Sequence, residues 1–170
     1  MKKLFTLVFA LILVSSCEDT AAIEITTSTS ISESVAISVL QTTGNAVSYD
    51  ETVTQDLNQL VSNFNDISDI NIDALSYKFK NVTGNTSAVI QSATIVINGN
   101  TIGTISNVNI AQEATNATVF PITDTAVLDQ LETLFLNNSS VTIQFSGMAI
   151  TDAGDVNFEI EVSMDLTATL

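Results

Sequence analysis

The sequence predicts a mainly β fold, a two-sheet antiparallel β-sandwich with two short helices at about 53–64 and 125–136. Three observations lead there. Apolar and polar residues alternate with period two along several segments, as half-buried strands require. Asn98-Gly99-Asn100 stands between two such segments, a strong hairpin signal. Two further segments instead carry apolar residues at the helical period of 3.6. With 170 residues, 45% of them hydrophobic, the chain suits one domain that buries a core without disulfides.

The N-terminus is read first, because it is not part of that domain. Met1-Lys2-Lys3 is a cationic start and Leu4 to Val14 an apolar run of 11 residues. As a helix that run spans about 16 Å, against about 30 Å of bilayer hydrocarbon. It is too short to span, and with Ser15 and Ser16 behind it reads as a secretory signal peptide, residues 1–16. Cys17, the only cysteine, follows at once. Val14-Ser15-Ser16-Cys17 resembles the lipobox of bacterial lipoproteins, which implies cleavage before Cys17 and acylation of its thiol. The resemblance covers residues 1–17 alone, and the other reading is a secreted protein with a spare cysteine. Glu18-Asp19 resembles the acidic patch that sends some lipoproteins to the outer face of the outer membrane. Cell-envelope residence by a lipid anchor, surface-exposed rather than periplasmic, is what these resemblances imply.

Residues 17–30, rich in Thr, Ser and Glu, read as a tether, and 31–170 as the sandwich. The odd positions Ile31, Glu33, Val35, Ile37 and Val39 form one face of a strand reaching Gln41, after a break in Thr27–Ser30. Val53, Leu57, Leu60, Val61 and Phe64 make the first helical stripe, with Thr52-Val53-Thr54-Gln55 as its capping box. Leu75, Tyr77 and Phe79 then point one way along a strand, while Lys78 and Lys80 point the other. Val89–Ile97 and Thr101–Ile110 are the hairpin arms. The second helix carries Val127, Leu128, Leu131, Leu134 and Phe135, with Asp124 or Thr125 as its cap and Asn137-Asn138 as a left-handed end. Val141, Ile143 and Phe145 alternate up to Gly147. Beyond it Met148 and Ile150 take the apolar face, which predicts a bulge at the glycine. Asp152-Ala153-Gly154-Asp155 turns the chain into Phe158, Ile160, Val162, Met164 and Leu166. Leu57/Leu128, Phe64/Phe135 and Ile72/Ile143, each 71 residues apart, suit an internal duplication or two unrelated amphipathic helix–strand pairs.

Charge and composition limit the chemistry. Nineteen acids against 4 lysines, with no arginine, argue against a nucleic-acid partner. Histidine and tryptophan are absent, which removes His-based triads, His metal sites and indole sugar platforms. With no recognisable catalytic constellation, the expectation is a protein that is not an enzyme. Glu159 and Glu161, at i and i+2 of one strand, are the carboxylate pair an acidic-residue, glycosidase-like hydrolase would use. Lys78 and Lys80 share that spacing, so the pattern favours neighbouring strands with the four charges facing each other as structural cross-strand pairs. Asp66, Asp69, Asn71 and Asp73 cluster before the third strand as weak calcium candidates, with Asp152 and Asp155 a second set; no other cofactor is implied. The sequence therefore reads as a non-catalytic binding or structural module. Its partners are the membrane through the lipid, and an envelope protein or surface polysaccharide. The alternatives are the hydrolase and a calcium-stabilised adhesion module.

Overall fold

A computed structural model describes residues 26–41, 44–57 and 67–169. The signal peptide, lipobox, Cys17, Glu18-Asp19 and Asp66 lie outside the described residues. Strands β1 (Thr26–Val39), β2 (Val47–Asp56), β3 (Asp69–Gly84), β4 (Val89–Ile97) and β5 (Asn100–Asn109) come first. Helix α1 (Ile110–Thr115), β6 (Phe120–Pro121), helix α2 (Thr125–Asn137), β7 (Ser140–Ile150) and β8 (Val156–Thr169) follow. Two antiparallel four-stranded sheets result, ordered β1-β8-β3-β6 and β2-β7-β4-β5. The fold is the mainly β sandwich that the alternation predicts.

Period-two burial builds the core from both sheets. Ile31, Val35, Ile37 and Val39 of β1 face inward with Phe158, Ile160, Val162, Met164 and Leu166 of β8. Ile90, Ile95, Ile97, Val141, Ile143 and Phe145 meet them from the second sheet. An aromatic seam joins the layers. Phe120 stacks on Tyr77 at 4.9 Å, Tyr77 meets Phe79 edge-on at 6.3 Å, and Phe79 lies 6.2 Å from Phe158. Tyr49 then contacts both Phe158 and Phe145. Aromatic pairs in such geometries contribute about 0.5–1.5 kcal/mol beyond area burial.

Turn chemistry matches the sequence at the hairpin. Asn98 and Gly99 both take positive φ, +46° and +85°, as a two-residue turn of this hand needs. Asp124 caps α2, its carboxylate accepting from the amides of Ala126 and Val127. The other end differs from expectation. Asn138 is extended, not left-handed, and the side-chain amides of Asn137 and Asn138 instead donate to the carbonyls of Thr133 and Leu134.

Other expectations are corrected. The helix expected at 53–64 does not begin at Val53: Val53–Asp56 complete β2, with Val53 opposite Ile143 and Thr54 opposite Thr142. The β-branched run Thr52-Val53-Thr54 packs better on a pleated surface than in a helix. Residues 58–64 lie outside the described residues. Nor are residues 17–30 tether throughout, since Thr26–Ser30 belong to β1 and pair without a break against Ser163-side residues of β8, Thr26 with Thr169 and Ser30 with Asp165. Gly147 is not a phase switch. Ala149 continues the inward series fully buried, while Met148 stays 43% exposed. The irregularity sits across the ladder, between Ile90 and Ser92 of β4. Helix α1 replaces the expected last residue of β5, because the Asn109 side chain accepts from the Gln112 amide and caps a turn with Ile110 buried beneath it.

Candidate functional site

The expected charge cluster is built by strand register. In the β3–β8 ladder Lys78 stands opposite Glu161 and Lys80 opposite Glu159. The Lys78 ammonium lies 2.6 Å from Glu161 Oε1, and Lys80 Nζ lies 2.6 Å from Glu161 Oε2 and 3.6 Å from Glu159. The Glu161 side chain keeps 15% of its exposure, so two partly exposed lysines clasp one half-buried glutamate. Hydrogen bonds from Lys78 first and Lys80 second hold the Glu161 carboxyl below its ordinary range. The same contacts, led by the Glu161 hydrogen bond, raise Lys80. A general acid needs the opposite displacement, a carboxyl kept protonated. The cluster works as a charge clamp between strands.

A hydroxyl ladder continues it along the same outer face. Ser32 meets Ser163 at 3.3 Å, Ser30 donates to Asp165 at 2.6 Å, and Ser28 meets Thr167 at 3.2 Å. The calcium candidates fall into this lattice. Asp69, Asn71 and Asp73 lie within β3, not in a loop before it, because alternate burial of Ile70 and Ile72 makes that stretch a strand. Asp73 accepts from Asn71 at 2.6 Å and from Thr167 at 2.7 Å. Asp152 and Asp155 serve the chain itself. They accept from the backbone amides of Gly44 and Gln41, fastening the β1–β2 connection to the β7–β8 turn. No group of three or more metal-ligating side chains occurs among the described residues.

Three of the hollows among the described residues lie beside the sheets' outer faces, helix α2 or the Glu159 side chain. One of about 460 Å³ crosses the outer face of the second sheet, lined by Ser92, Thr94, Ser106, Ser146 and Met148. Another of about 440 Å³ lies beside α2, with Asp129 its lone carboxylate. A third, about 240 Å³, brings Glu51 of β2 near Glu159, with Asn81 and Asn157. It is smaller than the roughly 300–1,000 Å³ of ligand pockets.

Sequence reasoning missed two side chains with structural roles. Glu132 of α2 reaches out to accept from the Ile72 amide at 2.8 Å, covering the β3 edge. Glu33 lies half-buried on the core-facing side of β1, opposite Val162. The signal for it was visible: it is the one charge in the apolar odd series.

No protein-family model matches the sequence, and no curated protein matches it. Among solved structures, the decameric BFDV capsid protein aligns over 85% of this chain and 98% of its own, with 10% identity and a TM-score of 0.39. The infectious bursal disease virus VP2 subviral particle aligns over 92% of this chain but 41% of its own, with 12% identity and a TM-score of 0.30. Likenesses this distant carry no argument about function.

Proposed function

We propose that this chain is a bacterial lipoprotein whose β-sandwich is a non-catalytic binding or structural module, held at the outer membrane by acyl chains on Cys17. The observation that carries this reading is the ordered run of basic start, short apolar segment, small residues and lone cysteine over residues 1–17. Removal of residues 1–16 takes Lys2 and Lys3 with it, leaving Lys78 and Lys80 against 19 acids. Anionic lipid repels such a body, so the lipid anchor must supply the attachment, at about 0.8 kcal/mol per buried CH₂. The clamping of the Glu161 carboxylate between Lys78 and Lys80, which holds its pKa down, supports binding over hydrolysis by this pair.

Membrane fractionation of cells expressing the chain and its Cys17→Ser variant tests the anchor. The variant is expected in the soluble fraction; unchanged membrane association overturns the reading. Protease treatment of intact cells separates a surface orientation, in which the body is digested, from a periplasmic one.

A further inference from the structure

We propose that the outer edge of β1 is a docking site for an extended segment of another protein, added as a further antiparallel strand that sets a lysine or arginine against Glu33. The inference deepens the binding-module reading and rests on it.

The four sheet edges are not alike. On one side β6 ends at Pro121, Ile122 bonds to Leu75 and Glu132 caps Ile72, while α1 and α2 lie against β5. At the other, β2 carries Asp50, Glu51 and Asp56. Strand β1 carries a single charge, Glu33: its 14 residues run without bulge or proline, approach β2 at the side of the sandwich and, among the described residues, pair in a ladder with β8 alone. Such an edge presents a continuous row of backbone donors and acceptors.

Glu33 selects what pairs there. It lies on the core-facing side between Ile31 and Val35, half-buried, and no described residue forms an ion pair or hydrogen bond with its carboxylate. A carboxylate set between two apolar neighbours lacks a counter-charge there, and a cation directly across the ladder supplies one. A second copy cannot supply it. Antiparallel pairing keeps core faces together, and the in-phase registers that overlap β1 most fully set Glu33 against its own copy or against Ile31. The net charge of −15 adds repulsion between copies. A segment with apolar residues in alternation and a basic residue at the Glu33 position meets both the backbone and the charge.

The test uses the full-length chain in detergent micelles and peptides of about ten residues. These alternate Val and Thr around a central Lys or a central Glu. Amide hydrogen exchange should show new protection at alternate residues of β1 with the Lys peptide, which should bind about fivefold more tightly than the Glu peptide. Glu33→Lys should reverse the preference and Glu33→Gln abolish it while leaving the fold intact. Equal binding of both peptides, no protection within β1, outward amides already protected without peptide, or dimers formed through β1 would each overturn the proposal. None of these outcomes touches the Cys17 anchor, which fractionation tests separately.

Discussion

Tyr49 and Gly147 are coupled by space. A Cβ built on Gly147 would lie 2.7 Å from the Tyr49 hydroxyl and 2.7 Å from the Ala93 Cβ, and would also strike the Ser92 carbonyl. Glycine is required there because the Ser92 carbonyl, the Ala93 Cβ and the Tyr49 hydroxyl together fill the site that a side chain at 147 would occupy. Overpacking of this kind costs about 1–3 kcal/mol, so Gly147→Ala should lower stability by that much in denaturant unfolding. The Tyr49 hydroxyl is buried with no hydrogen-bond partner among the described residues, and burial raises its pKa. Tyr49→Phe should therefore stabilise by about 1 kcal/mol. It should also recover part of the Gly147→Ala loss, read as a non-additive double-mutant cycle.

The lysine–glutamate clamp predicts a pH response with a definite sign. Glu161 has its pKa lowered in the folded state, so its contribution is full above the unfolded carboxylate value and is lost as pH falls through the folded one. Lys80 is raised from 10.5, so its contribution is full below that value and is lost as pH rises through its folded pKa. Thermal melts across pH should show Glu161→Gln flattening the acid limb, with a loss of about 1 kcal/mol near neutrality. Glu159→Gln, whose carboxylate sits 3.6 Å from Lys80, should change it far less.

Among the elements, α2 is held to the first sheet by the Glu132–Ile72 bond as well as by buried Leu131 and Phe135. Glu132→Ala should cost about 1 kcal/mol and speed hydrogen exchange at the Ile72 amide more than at the Leu131 amide. Exchange of equal magnitude at both would mean the bond does not anchor the helix. Those elements were readable from sequence where one period stood alone. The Lys78/Lys80 and Glu159/Glu161 spacings specified a strand pairing and its register because opposite charges at matched i, i+2 positions have one alignment that satisfies all four. Reading failed where two periods overlapped. Val53 and Leu57 fit a helical stripe, yet Val47, Tyr49, Val53 and Gln55 also alternate, and the ladder with β7 decides between them. Helix α1 carried too few residues for a stripe to register, and Glu132 gains its role from a strand 60 residues distant.

At the scale of the whole molecule, an acidic chain with long strands must avoid joining itself by its edges. Glu33 does this for β1: an inward-facing charge is tolerated at an open edge and punished when a second copy closes over it. Glu33→Thr should thus bring concentration-dependent self-association, measured by sedimentation velocity, where the unaltered chain stays at the mass of one copy. A variant that remained a single species at high concentration would show that other charges keep the copies apart.

The same polarity sets the requirement at the membrane. On the proposed reading, anionic lipid repels a body with 19 acids and few cations, and attachment falls to the chemistry at Cys17. Intact mass of the protein extracted from membranes measures that chemistry directly. The expected species begins at Cys17 and carries the added mass of two or three acyl chains. A chain still beginning at Met1, or one cleaved elsewhere with an unmodified thiol, would contradict it.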